Sequence, residues 1–451
     1  MSPRRLRRLL LCLAALVLVS GGCASYSMQE LRGSLASGDY GTSLEQLKAD
    51  PDLSLPYLLE VGLVAHYAGE FDQSNAAFEI AEYIAEDLYT RHISREAAAL
   101  LTSDTVRPYA GTRYERLLIH YYRALNYVYL GLPDDALVEV RRAGSLLRSY
   151  ADADDKYEFA GAAFFAYFSG ILYEWAGDWN DAYIAYRWAE TGYVRYSDAY
   201  GVRPPGDIGH RLVRLARGLG FDDDAEKYVE LYGEPPDVPD GWGEIVLFHE
   251  SGYAPRKFAE DIILPILSGD EFVEREVWSF ADTVVERRHI TYEDAELEYL
   301  LRVALPSYAS ERPTLTRMDV GVADQSVSAT RVEDLDRVMT DTFESEQGTV
   351  LLRTAARSLL KYLAYRRAKK KNAVAGWLVN AFNVASEVAD TRSWQTLPCL
   401  ISVARVPVPP GTHDVRMAFS DAGGRGRRTE TLPGVTVAPG DTAFWNVRTF
   451  D

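Results

Sequence analysis

Cys23 offers the most sharply defined chemistry in this chain. It follows Ser20-Gly21-Gly22 and an apolar run from Leu9 to Val19, and Arg4, Arg5, Arg7 and Arg8 stand before that run. A basic start, a short apolar stretch and small residues ahead of a cysteine make a bacterial lipoprotein signal peptide, so the expected reaction at Cys23 is lipid attachment. The run is too short for a permanent membrane helix. Ser20 departs from the usual pattern, in which an aliphatic residue lies three places before the cysteine. Cleavage after Ala24 by the ordinary signal peptidase, or retention as an uncleaved anchor, are the competing outcomes.

Other reactive side chains are scattered. The histidines, at 66, 92, 120, 210, 249, 289 and 413, have no His or Cys partner at metal-ligand spacing. His249-Glu250-Ser251 is not followed by the second histidine that a zinc peptidase helix needs, and no Gly-x-Ser-x-Gly elbow occurs. Asp152, Asp154, Asp155 and Glu158 crowd like a calcium loop, but Lys156 stands where a ligand would be wanted. A solvated inter-helix loop is the plainer reading. His249, inside an apolar run, reads as a core residue, and Cys399, in Pro-Cys-Leu-Ile-Ser-Val, as a buried inert thiol. No catalytic residue, cofactor or metal is therefore assigned. A hydrolase would need a triad converging from separate segments.

The elements that position these residues divide the chain in two. The 451 residues are 47% hydrophobic, enough for more than one core. Removing residues 1–22 takes away four Arg and no acid, leaving 44 basic against 66 acidic side chains, a net charge of −22. That balance argues against nucleic acid as a partner, since a basic face is needed there, and against a polybasic contact with anionic lipid. With Cys12 in the signal segment and Cys23 lipidated, Cys399 is alone and no intramolecular disulfide forms, so packing must supply stability.

Residues 23–233 read as a helical repeat array. Around Gly69, Gly62 lies seven before, and Phe71, Ser74, Phe78 and Ala81 follow at +2, +5, +9 and +12. Gly131 repeats this with Ala124, Pro133, Ala136, Val140 and Ala143, and Gly177 with Gly170, Trp179, Ala182, Tyr186 and Ala189. Looser copies surround Gly38 and Gly220. The spacing resembles the tetratricopeptide repeat: small residues let paired helices approach, glycine serves the turn, and the large residue nine later plugs the groove. The anchors are 31, 62, 46 and 43 residues apart, so longer loops or an extra helix, for which residues 95–101 are a candidate, pad the intervals.

Residues 234–243 contain Glu-Pro-Pro-Asp-Val-Pro-Asp-Gly and read as a linker. Beyond it the apolar period shortens. Strands are expected at 244–249, 258–266, 297–305, 317–322, 326–331, 401–406, 413–419, 429–437 and 442–447, divided late in the chain by Pro/Gly turns. The expectation is an α+β chain: a tetratricopeptide-like α-solenoid, then a β-sandwich-like domain in two parts, 244–331 and 390–451, around a helical insertion at 332–389.

In such arrays the first helix of each pair lines the concave side. The helical period puts Leu59, Leu63, His66, Tyr67, Tyr121, Leu125, Tyr129, Phe164, Tyr167, Ile171 and Trp175 there. Leu63, Tyr67, Tyr121, Tyr129, Tyr167 and Trp175 form the candidate partner groove, because aromatic residues suit interfaces. The same stripe could be inter-repeat core, or be covered by the chain itself, with residues 373–388 the obvious cover. The run Arg366-Arg367-Ala368-Lys369-Lys370-Lys371 suits a helix C-terminus; contact with lipid headgroups or an acidic partner are its alternatives.

Several stretches together resemble a family of bacterial outer-membrane lipoproteins. They are Arg116-Leu117-Leu118-Ile119-His120, Ala124-Leu125-Asn126-Tyr127, Val138-Glu139-Val140-Arg141-Arg142-Ala143, Gly252-Tyr253-Ala254-Pro255-Arg256-Lys257 and Asp390-Thr391-Arg392-Ser393-Trp394. Ala304-Leu305-Pro306-Ser307-Tyr308 and Val406-Pro407-Val408-Pro409-Pro410-Gly411-Thr412-His413 agree as well. The resemblance implies tetratricopeptide-like repeats, a β-rich C-terminal part and a lipid anchor at Cys23, and it supplies no catalytic residues. Ala24, where inner-membrane lipoproteins carry Asp, is similar to chains sent to the outer membrane. The expected function is a lipid-anchored, periplasm-facing scaffold binding another envelope protein, in cell-wall synthesis or envelope assembly. The rivals are a structural subunit whose groove is self-occupied, and a periplasmic hydrolase.

Overall fold

The computed structural model describes residues 28–99, 108–153, 162–268 and 296–450. Cys23 and the signal segment lie outside them, as do Asp154, Asp155 and Glu158 of the acidic loop. Ten described helices come first: α1 Met28–Ala36, α2 Tyr40–Ala49, α3 Leu55–Tyr67, α4 Phe71–Ala99, α5 Arg113–Tyr129, α6 Pro133–Ala153, α7 Ala162–Ala176, α8 Trp179–Tyr200, α9 Ile208–Leu219 and α10 Asp222–Tyr232. They form five consecutive pairs. The turn within each pair holds a glycine with φ between 69° and 80°, at Gly38, Gly69, Gly131, Gly177 and Gly220, a backbone region that side chains disfavour. The small residue seven places earlier is there for space. A Cβ on Gly62 would come within 2.5 Å of the Phe78 ring, and one on Gly170 within 2.6 Å of Tyr186. No separate helix begins at residue 95; α4 runs unbroken to Ala99, so one long second helix fills that interval.

The strands follow: β1 Gly243–Ser251, β2 Arg256–Ser268, β3 Glu296–Ala309, β4 Arg317–Val322, β5 Gln325–Ser328 and β6 Thr330–Asp334. Helices α11 Leu335–Lys371 and α12 Ala373–Ala385 come next, then β7 Leu400–Val408, β8 Gly411–Ser420, β9 Gly426–Val437 and β10 Thr442–Thr449. The chain is thus α+β. One sheet has the order β10-β1-β7-β6, with β1 and β10 parallel, and another the order β5-β4-β8-β9; β2 and β3 form a long antiparallel hairpin. The single strand expected at 326–331 is two. The chain leaves one sheet after Ser328 and enters the other at Thr330.

Strand β1 is buried on both faces, and its alternation decides what joins what. Ile245 and Leu247 share a core with Val320, Val406, Met417 and Phe419, where the two four-stranded sheets meet. Val246 and Phe248 point the other way, with Ile401 and Val403, into the core of the helices. The helical array and the strands therefore share one core, and the two four-stranded sheets hold a second between them. The 234–243 stretch contains no helix and only the first residue of β1, but the parts it connects are packed on each other.

Candidate functional site

The inner helices α3, α5 and α7 present the predicted stripe, and the β10-β1-β7-β6 sheet lies against it. Leu63, Tyr121 and Tyr167 are fully buried, as are Leu59, Leu125, Phe164 and Ile171. Tyr121 packs on Phe168 and on Phe248 of β1, and Trp175 sets its edge on Phe444 of β10. Tyr67 donates to Glu250 at 2.6 Å, and Tyr129 donates to Asn446 at 2.8 Å. The six groove residues are therefore brought together, but no open groove exists there for a partner. Self-cover is what happens, and its agent is the sheet. Residues 373–385 do not cover the stripe; α12 packs back along α11 and against β3 instead.

Carboxylates pin this contact, and sequence reasoning singled out none of them. Glu60 of α3 accepts from the backbone N–H of Gln395 at 2.8 Å and from the Thr396 hydroxyl; Glu115 of α5 accepts from the N–H of Trp394 at 2.7 Å. Glu333 of β6 accepts from Tyr114 at 2.7 Å and Tyr196 at 2.5 Å. Burial pushes the Glu60 and Glu333 carboxyls up to about 7, with these hydrogen bonds offsetting part of the rise. A four-charge cluster joins Arg405 of β7 and Arg211 of α9 to Glu174 and Glu244, with Arg405 to Glu174 at 3.0 Å and to Glu244 at 2.6 Å. Burial acts to raise Glu174, but the Arg211 and Arg405 guanidiniums outweigh it and hold the carboxyl at about 2. The signal available was only acidic residues at apolar helical positions, which does not name their partners.

One cluster has metal-like proximity among the described residues: Glu82, His120 and Glu139, with ligand atoms within 4.8 Å of one another. His120 Nδ1 is 2.8 Å from Glu139. Local spacing does not reveal this group, because its members sit on three helices. Arg123 reaches Glu82 at 2.6 Å and Glu139 at 3.2 Å, and Arg142 reaches the same two carboxylates at 3.2 and 3.5 Å. Two guanidiniums already neutralise the two acids, so the donor set is better matched to an ion network than to a cation. His249 bonds Thr449 through Nε2 at 3.0 Å, and burial drives its pKa down to about 3. Burial pushes the Cys399 thiol up to about 12, which leaves it without thiolate character.

Solvent instead meets the outer helices. An open groove of about 960 Å³ runs between α4 and α6, with Ile80, Tyr83 and Val138 among its apolar lining and Glu79, Arg141 and Arg142 among its charged residues. On α8, Trp179, Ile184 and Trp188 are exposed. Tyr83 is 73% and Trp188 70% exposed.

No protein-family model matches the chain. No curated protein matches it either. Among solved structures it is similar to MamA, at 15% identity over 44% of this chain and 89% of that one, with a TM-score of 0.28. It is also similar to aspartyl phosphate phosphatase F from Bacillus subtilis, at 15% identity over 46% of this chain and 47% of that one, with a TM-score of 0.30. Superpositions this loose carry no argument about activity.

Proposed function

We propose that this chain is a lipid-anchored, periplasm-facing scaffold, not an enzyme, and that it binds another envelope protein through the outer face of its helical array. The array is read as a tetratricopeptide-like α-solenoid packed on a β-sandwich. The lipid at Cys23 and the outer-membrane address rest on the signal segment, and cell-wall synthesis or envelope assembly on the family resemblance. The observation that carries the binding reading is the exposed aromatic and apolar set Ile80, Tyr83, Trp179, Ile184 and Trp188 on α4 and α8. Aromatic side chains at such positions are the usual anchors of protein interfaces.

A crosslinking pull-down from intact cells tests it, with Cys23→Ala as the anchoring control and Tyr83→Ala with Trp188→Ala as the surface control. Wild type should recover an envelope protein that both controls lose, while the surface variant keeps its melting temperature. Recovery unchanged by the surface variant, or no partner with any form, would overturn the reading. The covered aromatic stripe supports a second reading, in which the chain is a structural subunit of an envelope complex with that groove self-occupied.

A further inference from the structure

The α11–α12 hairpin is built with its polarity reversed. Beside the ring contact of Tyr365 with Tyr299 of β3, its inner contacts are polar: Arg357 and Lys361 both reach Glu387, at 2.9 and 2.6 Å, and Thr354, Ser358, Asn380 and Asn383 are buried. Its outer face is apolar. On α12, Val374, Trp377, Leu378 and Phe382 repeat at helical spacing along one side and are 61%, 54%, 61% and 70% exposed. Leu359, Leu360 and Leu363 of α11 are exposed too. Helix α12 contains no charged residue.

At the tip between the helices the charge is all of one sign. Arg366, Arg367, Lys369, Lys370 and Lys371 lie in the last turns of α11. Lys369 touches Glu298 at 3.5 Å, whereas Arg367, Lys370 and Lys371 are exposed and have no carboxylate partner among the described residues. The whole chain carries −18, so these cations are unbalanced against its general trend.

We propose that the α11–α12 tip is a membrane-contact element that lies in the headgroup region of an anionic phospholipid bilayer. The apolar strip of α12 enters the acyl boundary, and the Lys/Arg cluster pairs with phosphate groups. A short helix with Trp, Phe and Leu on one side and cations at its end has the composition of an interfacial segment. No described helix is long and apolar enough to cross a membrane, so the contact is peripheral. Tip-to-tip pairing with a second copy would bring two Lys/Arg clusters together, whereas an anionic bilayer offers phosphates to the cations and an acyl boundary to the apolar strip.

Flotation with vesicles decides it. The chain from Ala24 onward keeps every described element and carries no acyl anchor. It should float with vesicles containing phosphatidylglycerol and much less with pure phosphatidylcholine. The triple variant R367E/K370E/K371E should weaken binding by ~100-fold or more, since each cation near an anionic surface is worth roughly 1 kcal/mol. Trp377→Ser with Phe382→Ser should abolish flotation at unchanged melting temperature. Tyr83→Ala and Trp188→Ala should float as wild type, which separates this contact from the protein-binding surface. Wild type remaining soluble with both vesicle types, or floating equally with and without the tip cations, would overturn the proposal. So would a concentration-dependent dimer, dissolved by Trp377→Ser, in the absence of vesicle binding.

Discussion

Gly62 and Gly170 show how single residues set helix spacing. Each faces an aromatic ring nine residues beyond the turn glycine, at a distance no side chain tolerates. Gly62→Ala should therefore destabilise the chain by about 1–3 kcal/mol, because the Phe78 ring is itself fully buried and cannot swing clear. Denaturant titration measures it, with Gly33→Ala, where open space surrounds the added methyl, as the comparison. Buried acids make the second residue-scale prediction. The folded pKa of Glu60 and of Glu333 lies above the ordinary value of 4.5. The folded form then holds its proton more tightly than the unfolded form. Stability from these groups is greatest below about pH 4.5 and falls as pH rises towards 7, by on the order of 3 kcal/mol per group. Glu60→Gln should flatten the slope between pH 5 and 7 in chemical denaturation. An unchanged slope would show that the Glu60 carboxyl titrates normally.

At the scale of elements, the packing of the inner helices on the sheet makes aromatic stripe and core the same thing. Tyr121→Ala and Tyr167→Ala should each cost about 3–5 kcal/mol, read as a lower melting temperature of the whole molecule. Loss of a partner at unchanged stability would contradict the burial of these side chains. The charged pins behave differently. Arg405→Ala leaves Glu174 and Glu244 buried with Arg211 as their remaining cation, and breaking such a network typically costs about 3–5 kcal/mol. The measurement is thermal unfolding at neutral pH, with Lys48→Ala, on an exposed pair with Glu45, as a variant expected to change little. Turn glycines and strand alternation were legible because both are local patterns. The agents of contact were not, since Glu60 meets Thr396 across 336 residues and no local spacing records that.

For the whole molecule, a shared core means a shared transition. Phe248, Ile401 and Val403 contribute apolar surface to the helices, and Tyr121 and Phe168 to the sheet. Calorimetry should show one cooperative transition, with no separate melting of helices and strands. Proteolytic nicking within residues 233–241 should leave both pieces associated through gel filtration. Two independent transitions, or separation after nicking, would show that each part completes its own core.

By itself, the sequence determined the paired-helix array, its turn positions, most strand locations and the place of the α11–α12 segment. These follow from periodicity, glycine placement and composition, which are properties of neighbouring residues. Tertiary structure alone decided that the aromatic stripe is closed, that β1 faces two cores, and that apolar side chains of α4, α8, α11 and α12 are left exposed. A stripe of tyrosines has the same spacing whether water, a partner or the chain's own sheet lies over it. Only the long-range pairing of β1 with β7 and β10 settles which of these the residues meet.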